Sequence, residues 1–521
     1  MMRQPLKSKT PSKSQILGVA SLQAPTRGWN AKDSEALMPP GFAQELINLF
    51  PSSSKVALRK GVSDWVTGFA APVKTVMSWA AASGSPSTRL FGATDSGIFD
   101  ATTAGAVGAS VSTVTSGKLQ WVNFRTSGNS YLVIVNAVDD LRHYQGAAWT
   151  TVANFTLSGG GTVNTNTFSG VQVHKRRLYF LERNSLDFCT LPIDSIAGTV
   201  TRFPLGAIFG KGGYLAAMGT WTMDSGQGAD DLAVFVSSKG QVAIYKGNDP
   251  TSASDWALVG VYDLPEPLGA NCLHKFGGDL LYLCQTGLFP LSKALQSSDK
   301  SAAVSDNIRT AFTTAAAAHG AKAGWQIAID WPGELLLVNI PTAEYTTSIQ
   351  YVMNTNTKAW TQYIGWDGFS FVFHNGNLYM GMATKIAKVN TGVSDFTQNI
   401  VGYCRTAFDY FGARGQLKSM NLVRPILEID SSVSVEAALD TDFKKETSYG
   451  PTSFSSLTGS LWGTGVWGTA VWGSSGSVKR DWITVSAYPF YCAALRLRFT
   501  TKTATVTWSA TDFGTENGGV M

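Results

Sequence analysis

Charge is scarce in this chain. Charged residues make up 15% of its 521 positions, 41 basic against 36 acidic, where an average soluble protein carries about 25%. The formal surplus of +5 is too small to build a strongly basic face. That excludes a dedicated nucleic-acid binder, whose affinity comes from neutralising phosphates, and leaves only transient, non-specific contact with double-stranded DNA. Cysteine is sparse too. Cys189, Cys272, Cys284, Cys404 and Cys492 are odd in number, far apart and never in a CxxC pair. This spacing excludes a zinc ribbon or dithiol redox motif and argues against a disulfide framework, which fits folding in a reducing cytoplasm. No apolar run reaches the ~18 residues of a membrane helix, so no membrane segment is expected. Residues 1–14 carry Arg3, Lys7, Lys9 and Lys13 with no apolar stretch after them, and read as a basic arm rather than a secretory signal.

Catalytic signatures are also missing. The sequence holds no G-x-S-x-G elbow, no HExxH pair, no EF-hand loop and no Walker loop, since neither Lys118 nor Lys211 is followed by Ser or Thr. His143, His174, His274, His319 and His374 are scattered without an i,i+4 pair, so core or surface histidines are the default over metal ligands. Asp224, Asp230 and Asp231 meet no calcium spacing. The run His174-Lys175-Arg176-Arg177 leads into a strand and reads as a hairpin end rather than a phosphate site. The one G-x-G-x-x-G match, Gly463 to Gly468, lacks the flanking strand and helix that hold a pyrophosphate. It belongs instead to an apolar-Trp-Gly triplet repeated every five residues at Trp462, Trp467 and Trp472. Those rings either pack on their own domain or form a subunit interface. No cofactor, metal or enzymatic activity is expected.

What is abundant is turn and strand chemistry. The chain has 53 glycines, with Ser and Thr throughout, the composition of a mainly β protein with many tight turns. Short apolar cores recur around Leu90, Leu132, Leu178, Leu232, Leu281, Leu336 and Leu378, at separations of 42 to 55 residues. That is close to the period of a propeller blade. Several cores are followed by a Gly, Asn or Ser turn and a second strand, as at Asp95-Ser96-Gly97 and Ser238-Lys239-Gly240, and several units close on a tryptophan: Trp149, Trp256 and Trp360. Seven units predict a β-propeller of about seven blades, with six or eight as alternatives and an irregular β array or sandwich as the competing reading. Val304, Ile308, Phe312 and Ala315 to Ala318 keep helical spacing up to Gly320. They predict a helix of about four turns inserted near 304–319, between the fifth and sixth units.

The period ends after Asn390. The expected division is therefore an extended leader or arm over 1–54, with a short helix at Phe42 to Leu49, a propeller over 55–395, and a separate C-terminal β domain over 396–521. Removing residues 1–54 is expected to leave a folded propeller.

Several phrases carry a resemblance. Gly28-Trp29-Asn30-Ala31-Lys32-Asp33, Met38-Pro39-Pro40, Asn48-Leu49-Phe50-Pro51 and Val56-Ala57-Leu58-Arg59-Lys60-Gly61 come in order. Val242 to Pro250, Trp256 to Gly260, Val338-Asn339-Ile340-Pro341, Gln350 to Thr355 and Ala359-Trp360 follow. Together they resemble the tail nozzle or tail-tube structural proteins of short-tailed (podovirus-type) bacteriophages. The resemblance implies a virion tail protein, assembled in the bacterial cytoplasm. Copies would form a ring, six-fold by preference, that extends the DNA ejection channel below the portal and adaptor, with tail fibres or spikes as further partners. It carries no catalytic residues. Trp29, Pro39, Pro40, Trp462, Trp467 and Trp472 are the candidate assembly contacts. Two other functions remain open: a tail-associated carbohydrate-binding (receptor-binding) propeller, and a propeller glycosidase, which needs two converging carboxylates.

Overall fold

The computed structural model describes residues 18–81, 88–224, 229–296, 300–445, 450–454, 477–479, 481–485 and 489–517. Each of the seven leucine landmarks sits in the second strand of an antiparallel run of three or four strands, some of them part of a larger sheet. These strands are apolar along their length because neighbouring sheets cover both faces; Ser130–Val135 is buried at every position. The first strands are Thr75–Ala80, Gln120–Arg125, Phe168–His174, Leu215–Asp224, Leu273–Phe276, Gln326–Asp330 and Ser370–His374. Each touches the next in this order, and the last touches the first. The fold is a β-propeller of seven blades, numbered here from Thr75.

Side chains stitch adjacent first strands where no β-ladder can. Gln326 donates to the Phe371 carbonyl at 2.8 Å and accepts from its N–H at 2.9 Å, joining blades six and seven. Asn123 donates to the Ser78 carbonyl at 2.8 Å between blades two and one. His374 and His174 occupy matching hairpin positions in blades seven and three. The first meets Ser78 Oγ at 2.8 Å and the second Thr220 Oγ1 at 3.2 Å, each in the following blade. The ring is locked by chain order as well. Blade seven takes three strands from 370–389 and its outer strand, Val62–Thr67, from before blade one, paired antiparallel to Lys385–Val389. Trp149, Trp256 and Trp360 all stand at the start of a fourth strand or immediately before it, in blades two, four and six.

Blade five has three strands, and the insertion takes the place of the fourth. The Val304 N–H donates to the Leu288 carbonyl at 2.9 Å, and helix Arg309–His319 buries Phe312, Ala315 and Ala316. The helix is nearer three turns than four, because residues 306–308 form a 3₁₀ turn before it. Gly320 is not a left-handed cap, since its φ is −59°. It is needed for space: a Cβ there would lie 2.5 Å from the Ala316 carbonyl oxygen.

The leader departs most from expectation. Phe42–Ile47 is a strand, not a helix, and pairs antiparallel with Tyr403–Thr406. Gly18–Gln23 pairs with Ala510–Thr515, and Val56 and Ala57 pair with Trp508 and Thr507. Residues 18–58 are thus strands of the C-terminal domain, not a separate arm, and that domain is assembled from both ends of the chain. Its two sheets turn alternate residues inward, including Leu46, Val56, Val423, Leu427, Val435, Leu497 and Trp508, over one core. One of these sheets is continuous with blade six, because Gly28 and Ile47 pair in parallel with Trp360 and Gln362 of its outer strand.

Candidate assembly surfaces and the propeller channel

Arg59 holds the joint between the two domains. Its guanidinium is buried, and donates to both Asp395 oxygens at 2.8 and 2.6 Å, to Asn48 Oδ1 at 2.9 Å and to the Lys60 and Ile364 carbonyls. It lies over the rings of Trp366 and Tyr363. Residue 59 precedes the first propeller strand and residue 395 follows the last, so this fork ties the two ends of the propeller to each other and to the leader. Gly61 permits the crossing: a Cβ there would sit 1.9 Å from the Ser394 carbonyl oxygen.

The phrase Gly28 to Asp33 is a docking element within the chain. Gly28 has φ +83°, and a Cβ would come 2.6 Å from the Trp360 carbonyl oxygen. Trp29 is buried, donates to the Gln44 carbonyl at 3.0 Å and stands edge-on to Tyr351 of blade six. Its ring is therefore core rather than exposed assembly surface. Lys32 pairs with Asp306 at 2.6 Å, and the Ala31 N–H reaches the Asn307 carbonyl at 2.8 Å. Pro40 is exposed and Pro39 half-buried. They follow Leu37, which is 77% exposed, and Pro40 borders a groove of about 280 Å³ with Leu22, Arg27, Phe42 and Thr406. Trp462, Trp467 and Trp472 lie outside the described residues.

Sequence reading missed the ionic group inside the C-terminal domain. Asp440 is fully buried and meets Arg405 Nε at 2.9 Å and Arg496 Nε at 2.8 Å; Arg405 also reaches Glu45 of the leader at 2.7 Å. The four residues come from four strands: Phe42–Ile47, Ile400–Thr406, Val433–Thr441 and Ala493–Thr501. Their only signal in the sequence was a charge inside otherwise alternating strands.

The seven first strands surround a channel with a cavity of about 910 Å³. At one mouth the hairpin after Leu335–Ala343 carries Tyr345 towards blade one, where Lys74 and Lys118 stand 4.6 and 5.2 Å from its ring centre. Asp95 and Glu344 are at the same mouth, but both are committed. Asp95 pairs with Lys74 and accepts the Gly117 N–H, and Glu344 accepts the Ala323 N–H. Burial pushes the Asp95 carboxyl up, yet Gly117, Lys74 and Lys118 outweigh it and hold the group below the usual carboxylate range. Asp95 is thus not poised as the proton donor that a glycosidase would need.

The remaining candidate groups take structural positions. Lys175 and Arg176 form a left-handed hairpin turn, φ 44° and 63°. Arg176 pairs with Asp194, and Arg177 with Asp249 at 2.7 Å, so the run is a hairpin end whose two arginines are paired within the chain. His174 is 1% exposed, and burial, aided by Lys175, drives its pKa down to about 4. All five cysteines are buried free thiols; burial raises that of Cys272 to about 12, which makes it unreactive.

By its strand pairing, the chain is a seven-bladed β-propeller built into a second β domain. No protein-family profile matches the sequence, and a comparison with curated proteins finds no relative. Among solved structures, BBS1N, crystallised in complex with ARL6DN, matches at 12% identity and TM-score 0.38, over 64% of this chain and 99% of that one. The Cps50 (Swd1) β-propeller domain of Myceliophteria thermophila matches at 11% and 0.39, over 63% and 98%. Raptor of Chaetomium thermophilum matches at 10% and 0.37, over 63% and 29%.

Proposed function

We propose that this chain is a structural subunit of the tail of a short-tailed bacteriophage, in the nozzle or tail tube. Copies of it would close a ring, six-fold by preference, below the portal and adaptor and extend the DNA ejection channel. One observation carries the reading: the propeller and the second domain form one stiff piece. Blade six runs on into the neighbouring sheet, and the Arg59–Asp395 fork clamps the place where the chain crosses between them. A rigid wedge of fixed shape suits a ring of repeated head-to-tail contacts. The phrases that resemble the tail proteins support the same reading, because Gly28-Trp29 and Arg59-Lys60-Gly61 are the residues that make this joint. The low charge suits a conduit wall, since a strongly basic one would hold the passing genome.

Mass spectrometry of gradient-purified phage particles from the host strain tests this. The chain should be recovered in stoichiometric amounts with portal and adaptor proteins, and its absence from infectious particles overturns the proposal. A carbohydrate-binding propeller is the second reading, favoured by Tyr214, Trp331 and Phe373, which are exposed and border the channel. They stand at unlike positions in their blades, which weakens it. Glycan-array binding that survives loss of the tail role would support it.

A further inference from the structure

The two mouths of the channel differ. First strands run the same way around the ring: Gln326, first in its strand, bonds Phe371, second in the next, and Asn123 meets Ser78 at the fourth place of each. Residues just before these strands therefore share one mouth, and those at their far ends share the other. Trp331 and Phe373 stand at the far mouth. Lys74, Lys118, Tyr214 and Lys322 stand at the near one, and all four line the cavity of about 910 Å³.

The charged lining is one-sided: these three lysines against Glu344. They gather on the hairpin of blade six. Lys74 and Lys118 stand on the Tyr345 ring, and Lys322 donates to the Thr342 carbonyl. Tyr345 has φ 52°, a left-handed conformation that a bulky residue rarely adopts. Lys74 is balanced by Asp95. Lys322 spends two of its donors on His319 Nδ1 and Thr342, neither of them a carboxylate. Lys118 is exposed, and its ammonium makes no hydrogen bond or ion pair among the described residues. Glu344 already accepts the Ala323 N–H. Two ammonium groups without a carboxylate partner thus face a concave space, an arrangement that concentrates negative charge.

The uncharged lining matches a sugar. Tyr214, 47% exposed, and Trp121, half-buried, offer flat apolar faces for the C–H side of a pyranose ring. The side-chain amides of Gln120 and Asn271 have no hydrogen bond among the described residues, and with Trp121 they extend the cavity into a side pocket of about 130 Å³. A few polar groups among aromatic faces, in a space of this size, are the features of a small-ligand site. An extended peptide fits less well, because it needs a strand edge. The channel edges of the first strands are already bonded by neighbouring side chains at Val76, Ser78, Val173, Met218 and Phe371. We propose that this mouth binds an acidic saccharide, its carboxylate, sulfate or phosphate group held by Lys118 and Lys322 and its rings lying on Trp121 and Tyr214. This goes beyond the tail reading. It rests on the carbohydrate reading, to which it gives one mouth and one class of ligand.

Isothermal titration of the full chain tests it, with tetrasaccharides bearing uronate, sulfate or phosphate groups, each beside its neutral counterpart. At least one acidic member should bind; its neutral counterpart should bind the wild type about tenfold more weakly, and the acidic member should bind Lys118→Ala about tenfold more weakly. Lys118→Arg should restore the affinity, and Tyr214→Ala should weaken acidic and neutral sugars alike. Both side chains are exposed, so thermal melts of these variants should match the wild type. No binding of any acidic member at millimolar concentration, or binding that ignores Lys118→Ala, overturns the proposal. Neutral sugars bound as tightly as acidic ones sink the acidic class and leave the carbohydrate reading standing. Tetraglutamate bound as tightly as the best sugar overturns both in favour of an acidic peptide. The tail reading is judged separately, by recovery of the chain from phage particles.

Discussion

Replacing Asp440 with alanine removes the one carboxylate that Arg405 and Arg496 share inside the C-terminal domain. Asp440 is fully buried, and the side chains of the two arginines are 9% and 2% exposed. Both guanidinium groups would then lose their buried carboxylate, and Glu45, which pairs with Arg405, is 39% exposed. Removing one partner of a buried ionic group costs about 3–5 kcal/mol, because the remaining charge stays desolvated. Glu45→Ala removes a half-exposed partner and should cost about 1 kcal/mol or less. The combined change Asp440→Leu, Arg405→Met, Arg496→Leu takes away all three buried charges and should recover most of the loss. The assay is urea unfolding followed by hydrogen exchange in strands Ile400–Thr406 and Ala493–Thr501, which reports this domain separately from the propeller. An Asp440→Ala chain within about 1 kcal/mol of the wild type would refute the reasoning, since a solvated Asp440 is the simplest way to lose the predicted cost.

Other perturbations probe the joint and the ring. Arg59→Lys keeps the charge but loses the two-pronged pairing with Asp395 and should cost about 2–4 kcal/mol, read as faster exchange at Val62–Thr67. Gly61→Ala should be at least as damaging, because its Cβ would overlap the Ser394 carbonyl, and soluble yield with a thermal melt checks it. Deleting residues 1–54 should leave the propeller closed, since Val62–Thr67 remains, but should unfold the C-terminal domain, which loses the four strands between Gly18 and Pro51; native-like exchange protection over 493–501 in the deletion would contradict this. His174 titrates near 6.5 when unfolded and near 4 when folded. The unfolded chain therefore binds more protons between those values, and stability is complete above about pH 6.5 and lost as pH falls towards 4. The loss from pH 7.5 to 5 should be about 2 kcal/mol, and urea midpoints of the wild type against His174→Gln should show it. Asp95, Asp139 and Asp512 are held below the usual carboxylate range, so their contribution is lost at lower pH and does not overlap.

The propeller was legible because its strongest signal is local. Second strands covered on both faces are apolar throughout, and seven of them recur at nearly even spacing. The outer strand of blade seven was not legible. Val62–Thr67 lies in sequence before every other blade, and only ring closure brings it to Lys385–Val389. The leader misled for a related reason. Phe42, Leu46 and Leu49 have helical spacing, but pairing with Tyr403–Thr406 from the far end of the chain overrides that local preference. The ionic group left only isolated charges within alternating strands, because its members lie far apart in sequence and meet only when four strands align. Trp29 and Arg59 were picked out by resemblance alone; their physical role, holding two domains as one piece, needed the fold.

A cryo-electron microscopy map of purified phage tails carrying a tag on this chain tests the central claim most directly. The account predicts a ring of copies around the tail axis, each a seven-bladed propeller joined without a hinge to its β domain at Arg59 and blade six. Particles with no such ring, or copies whose two domains take up independent orientations, would contradict it.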